Sequence, residues 1–271
     1  MARHSDNHVS QTLWGQHEVK ENSIQTWRLG ILQLWCRKCE KEIQLACFHH
    51  ADEQTPSLPA VPDTVRWTRW AVDARLRKIE LTPMLPDRSV VLKFNSRFWL
   101  TRHIKATIYV RIPVWLQVNL SERKKTKPLA EIPSVSLATT WFGDFYEGEV
   151  SYWIATNAAR KGEPDPTRPY LAVCPLELIN NSEEDLLVEK ICFRVSNLSL
   201  FIHEGQLWSD LNRIYYTGEQ EVSQVEASGS PPDDAKSAAL IALPRMPQRK
   251  NLFAKTFSSI KDLPGLGIPT I

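Results

Sequence analysis

Between Ile108 and Ile112 the chain alternates branched apolar residues with Tyr109 and Arg111, and Pro113 then interrupts the run. A period of two sends successive side chains to opposite faces of an extended backbone, so this stretch predicts a strand with two unlike faces. Proline supplies no ladder donor, which puts Pro113 at an edge, a bulge or a bend where the chain passes between sheets. Similar strand patterning recurs at 25–36, 42–48, 65–71, 76–81, 89–94, 114–120, 134–142, 149–156, 170–179, 186–201 and 207–218. No strand-helix alternation of the kind that builds a parallel α/β sheet accompanies it. The expected fold class is all-β, mainly antiparallel, with one or two β-sandwich-like domains.

The punctuation between these runs gives the organisation. The charged stretch 37–41 turns a hairpin between 25–36 and 42–48, and Pro56, Pro59 and Pro62 make 51–63 a surface loop. Residues 1–12 are polar and expected to be flexible. A second charged run, Ser121 through Lys127 closed by Pro128, marks a solvated connection. The expected division is therefore a β-rich domain at 13–127, a second at 128–228, and a C-terminal segment at 229–271. Within that segment Pro231-Pro232-Asp233-Asp234 suits a helix start, predicting one short helix over 233–241. From Asn251 onward Leu252, Phe253, Phe257, Ile260 and Leu263 fall near helical spacing, with basic side chains among them. The expectation is a second, basic amphipathic helix whose Arg249, Lys250, Phe253, Lys255, Phe257 and Lys261 could meet a partner or an anionic membrane surface.

Composition narrows the function classes. With 42% hydrophobic and 24% charged residues the bulk of the 271-residue chain has the means to fold. A formal charge of +2 supplies no basic field for nucleic acid. The opening decapeptide MARHSDNHVS has no apolar signal core, and no run approaches the roughly 20 residues of a membrane helix. The expected location is the cytoplasm, with the basic tail able to lie at the inner membrane. Five cysteines form an odd set and read as free thiols in a reducing compartment. Ten tryptophans are mostly core, with one binding face among them.

Two constellations carry candidate chemistry. Cys36-Arg-Lys-Cys39, followed by Cys47, His49 and His50, has the donor types of a zinc site, though no second paired motif follows and Cys36 and Cys47 also fit as small apolar residues on paired strands. The plain reading, with no metal, is preferred. The decapeptide from Thr140 to Glu149 packs four aromatics, three carboxylates and two glycines. It reads either as a hairpin corner plugged by its rings or as a binding loop in which Trp141, Phe142, Asp144, Tyr146 and Glu149 take a carbohydrate or other small ligand. The corner is favoured. None of the nucleophile-elbow, zincin or phosphate-loop motifs occurs, so no enzymatic activity and no cofactor are expected.

Several phrases together, Trp27-Arg-Leu-Gly30, Leu32-Gln-Leu-Trp35, Pro86-Asp87-Arg88-Ser89-Val90-Val91, Ile112-Pro113-Val114-Trp115, Thr140-Trp141-Phe142-Gly143 with Gly148-Glu149, Cys174-Pro175 and Leu207-Trp208-Ser209, resemble the prokaryotic family of domain of unknown function 432. The similarity runs from about Trp27 to Phe257 and brings no catalytic residue with it. Relatives encoded beside small-conductance mechanosensitive channels would imply an accessory role at a channel's cytoplasmic side. The expected function is therefore a protein-binding or regulatory module.

Overall fold

A computed structural model describes residues 13–122, 125–146, 148–218, 222–247 and 252–258. The strands run in chain order as β1 (Gly15–Glu18), β2 (Ile24–Leu29), β3 (Leu32–Cys39), β4 (Glu42–His49), β5 (Thr68–Ala71), β6 (Lys78–Met84), β7 (Val90–Leu100), β8 (Lys105–Pro113), β9 (Trp115–Glu122), β10 (Lys125–Pro133) and β11 (Ala138–Phe142). They continue as β12 (Glu149–Thr156), β13 (Leu171–Asn180), β14 (Leu186–Phe193), β15 (Leu200–His203), β16 (Gln206–Ser209), β17 (Asn212–Tyr216), β18 (Val222–Ala227), β19 (Ala239–Ala242), β20 (Leu252–Lys255) and β21 (Phe257–Ser258). Single 3-10 turns at Val195–Asn197 and Asp233–Ala235 are the only helical elements among the described residues. The all-β class holds.

The chain divides into two compact units, each stitched from separate stretches. Unit 1 holds residues 13–28, Leu32–Thr82 and Leu116–Ile132. It carries the four-stranded sheets β2-β3-β4-β5 and β1-β6-β9-β10. Leu34, Trp35, Ile43, Ile79, Leu81, Leu116 and Val118 are among its buried apolar residues; β6 buries alternate positions, whereas β3 buries five residues in a row from Leu32 to Cys36. The charged run Ser121 through Pro128 spans the end of β9 and the start of β10, both assigned to this unit.

Unit 2 comprises Leu29–Ile31, Pro83–Trp115 and the described chain from Pro133. Its first sheet has the order β11-β12-β7-β14-β21, with β12 parallel to β7 and the other ladders antiparallel. Its second runs β19-β15-β16-β13-β17-β18-β20, and β8 covers the far edge of β13 from Pro113 opposite Leu171 to Lys105 opposite Ile179. Because β8 takes that whole edge, β16 and β17 share the other one, pairing parallel with Ala172–Val173 and with Leu176–Asn180 in turn. Buried Asp210 fills the break between them and accepts the Ser199 and Gly229 N–H groups at 3.1 and 3.0 Å.

Three expectations are corrected. The predicted helix over 233–241 is one 3-10 turn at Asp233–Ala235, after which Ala239–Ala242 pairs with β15. Ala235 is buried against Val173 and Trp208, which anchors the turn and leaves the following residues to the open edge of β15. The basic amphipathic helix is likewise absent from the described residues: Phe253 and Lys255 lie in β20, laddered to β18, and Phe257 lies in β21 opposite Ile191. Phe257 is buried, its ring edge-on to Tyr216 at 5.4 Å, and the Cys192 N–H donates to the Thr256 carbonyl at 2.8 Å. Available strand edges outcompeted the local helical spacing, as tertiary pairing commonly does. Arg249, Lys250 and Lys261 lie outside the described residues. Finally, 25–36 is two strands separated at Gly30, 186–201 is two separated by Val195–Asn197, and 207–218 is two separated at Asp210 and Leu211.

Candidate functional site

At one end of the β11-β12-β7-β14-β21 sheet three strand ends converge. β7 and β12 begin there and antiparallel β14 finishes there, with Tyr152 and Phe193 both in register with Val90. The Tyr152 N–H donates to the Ser89 carbonyl at 2.8 Å, which carries the parallel ladder one residue past the start of β7. Polar residues at or just outside the strand ends, Asp87-Arg88-Ser89, Arg194 and Glu149, the first residue of β12, are thereby gathered around one hollow of about 480 Å³. Val150, Ser196, Asn197, Met246 and Pro247 complete its walls.

Its centre is an ion pair. Arg194 Nη2 donates to Glu149 Oε1 at 2.9 Å, and Ser89 Oγ donates to Glu149 Oε2 at 3.2 Å. The Cys192 thiol also points at Oε1, 3.4 Å away; burial pushes this thiol up to about 12, so it stays protonated and acts as a donor. A second polar group flanks the first. Tyr152 Oη donates to Asp87 Oδ1 at 2.9 Å, and burial together with that carboxylate raises the phenol above its ordinary value. The Arg88 guanidinium lies over the Tyr152 ring at 5.9 Å. Beneath, Trp115 meets Tyr152 edge-on at 6.0 Å, and Arg245 stacks on Trp115 at 5.5 Å while its Nε donates to the Leu85 carbonyl at 2.7 Å. Burial pulls Arg245 below the usual guanidinium range, with Asp87 opposing that shift. The Met246 N–H, bonded to the Ser196 carbonyl at 3.0 Å, holds the Met246-Pro247 wall in place.

The expected binding residues separate. Glu149 is at the centre of the hollow, whereas Phe142, opposite it in the β11-β12 register, is buried with Val91 and Cys192. Trp141 is half exposed and folds over Gly148, its Nε1 donating to the Asp144 carbonyl at 2.9 Å. Gly143 has φ +107°, a conformation that L side chains rarely adopt, so the corner needs glycine there. Asp144 caps the Tyr146 N–H at 2.8 Å, and Tyr146 itself is exposed. The hairpin is thus plug and surface at once: Phe142 fills the sheet, Glu149 faces the hollow, and the rings of Trp141 and Tyr146 stand in water.

Sequence reading missed Asp87, Arg88, Ser89 and Arg194. Arg194 is one of two cations in the run 186–201, with Lys190, so its charge alone did not single it out; the other three precede a strand and look like ordinary turn residues.

The cysteine set is dispersed by strand geometry. Cys36 and Cys39 are three positions apart on β3 and so face opposite sides of the sheet, while Cys47 and His49 follow the Cys36 side through the pairs Leu34 with Cys47 and Leu32 with His49. A chelating pair of this spacing needs a turn, and the turn falls after Cys39. Among the described residues no group of three or more His, Cys, Asp or Glu could hold a metal.

A second hollow of unit 2, about 550 Å³, lies under the loop after β12. Its Arg111 is engaged by Asp165 at 3.5 Å and by the Glu163 carbonyl at 2.6 Å. Gly162 rests directly on the Tyr109 ring, where a Cβ would come within 2.8 Å.

An all-β chain with mixed sheets and a polar hollow at converging strand ends is the class that fold and geometry define. The chain belongs to the family of proteins of unknown function DUF432, whose model matches residues 13–261. No curated protein and no solved structure matches it. Among the described residues no helix is long and apolar enough to cross a membrane.

Proposed function

We propose that the protein is a binding module that seats a segment of a partner protein in the Glu149-Arg194 hollow. One observation carries this reading: Val150 and Met246, 47% and 56% exposed, stand on the wall of a hollow whose centre is a hydrogen-bonded ion pair. Large apolar side chains left in water around fixed polar groups are what a protein interface presents before its partner arrives, the isopropyl group and thioether supplying area and the ion pair supplying register. The hollow is open to solvent, which suits a side chain from an extended segment better than an enclosed metabolite. The resemblance-based expectation of an accessory role beside a mechanosensitive channel makes that channel's cytoplasmic portion the first partner to test.

The test is site-specific photocrosslinking in cells, with a benzophenone side chain at Val150 and, as control, at exposed Thr101 of the same unit. A discrete adduct from position 150 that falls severalfold with Arg88→Glu supports the reading. Adducts from 150 that match those from 101 would remove it.

A further inference from the structure

Strands at the end of a sheet expose unpaired N–H and C=O groups, and chains protect them with charge, proline, bulges or brevity. Almost every terminal strand described here has such protection. β1 carries Glu18, β2 carries Arg28, β5 carries Arg69, and β10 carries lysines and two prolines. β8 has Lys105, Arg111 and Pro113; β20 ends on Lys255; β21 is two residues long. β19 is uncharged, yet it is four residues long, its register shifts opposite Leu200 and Phe201, and Pro244 follows.

β11 differs. Ala138-Thr-Thr-Trp-Phe142 has no charge, no proline and an unbroken register with β12, and among the described residues no strand pairs its other edge. We infer that this edge pairs with the same strand of a second copy of the chain, antiparallel about Thr140, joining two five-stranded sheets into one.

The sequence of the strand is its own complement under that operation. With Thr140 on the two-fold axis, Thr139 of each copy faces Trp141 of the other and Ala138 faces Phe142. A β-branched residue against an aromatic is a favourable cross-strand pair, and no like charges meet anywhere along the strand. Thr139 is exposed and Trp141 is 52% exposed, so both are open to such contact in the single chain. A net charge of +2 leaves little long-range repulsion between copies. Such a contact is isologous and closes on itself, which ends the assembly at two copies. It uses backbone and side chains of β11, not the hollow, and stands apart from the partner proposed above.

Sedimentation equilibrium of the full chain between about 1 and 100 µM tests it, over the range in which weak strand-edge dimers form. The expected species is a dimer of twice the 31.1 kDa chain. Thr140→Lys and Thr140→Glu should each give monomers, because like charges meet at the axis, and mixing the two in equal amounts should restore the dimer. Circular dichroism checks that both variants fold. If either does not, Thr140→Cys in a Cys39→Ser, Cys47→Ser background replaces them, and diamide should link two copies through residue 140. A monomeric wild-type chain at 100 µM overturns the inference while leaving the hollow untouched, and so does a dimer that both charge variants leave intact.

Discussion

Gly148 lies so close under the indole of Trp141 that a Cβ at this position would overlap Nε1 and Cε2. The same indole nitrogen donates to the Asp144 carbonyl, which also takes the Gly148 N–H at 3.1 Å. Gly148→Ala must therefore push the ring off and break its hydrogen bond. The ring can move, but a Cβ would also come within 2.6 Å of the Asp144 carbonyl oxygen, which is backbone, so the cost should sit at the upper end for overpacking, about 3 kcal/mol. Thermal melts of Gly148→Ala, Trp141→Phe and the double variant should show a total smaller than the sum, since one contact is removed twice.

Neighbouring aromatics of that hairpin should behave oppositely. Phe142 is 5% exposed and shares a cluster with Val91 and Cys192, so Phe142→Ala should cost about 3 kcal/mol in urea unfolding. Tyr146 is 92% exposed, and Tyr146→Ala should stay within about 0.5 kcal/mol. Equal effects would mean that the corner is not anchored where it is described.

The thiols divide by depth. Burial pushes Cys36, Cys174 and Cys192 up to about 12, whereas Cys47 is exposed and Cys39 half-buried. Iodoacetamide at pH 8 should modify only Cys39 and Cys47 of the native chain, Cys47 slowly because burial holds its thiol above the ordinary value, and all five cysteines after unfolding, as mass spectrometry would count.

His50 gives a pH dependence with a defined sign. Its Nε2 is 2.8 Å from Gln33 Oε1 in a buried setting, and burial followed by the nearby Arg28 charge holds the ring below its ordinary 6.5. The unfolded chain therefore takes up this proton first. The contribution of neutral His50 is full above about pH 6.5 and is lost as pH falls from there through the folded value. Melting temperatures between pH 7.5 and 5 should fall more steeply for the wild-type chain than for His50→Gln.

Strand identity was legible where one stretch contained its own evidence. The alternation at Ile108 to Ile112 became β8, and Pro113 stands where the chain leaves that strand. What failed was non-local. Arg194 interrupts 186–201 because its charge turns toward Glu149, a partner that sequence distance conceals. The residues from Leu252 to Phe257 have helical spacing, yet β18 and β14 offer them ladders. Glu149 stood out because its decapeptide is unusual, but the side chains that make it a site arrive from two other strands. Spacing alone could not separate Phe142, which faces inward, from Trp141, which faces water.

The interleaved assembly of unit 1 has a consequence for synthesis. β6 ends near residue 84, but its neighbour β9 is made only after β7 and β8 have left the ribosome, and β10 later still. During that interval a nascent chain carries a half-built sheet beside the opening strands of another body. Early chaperone capture, slow maturation and insoluble products from genes stopped after Thr82 are the outcomes that such a threading order brings.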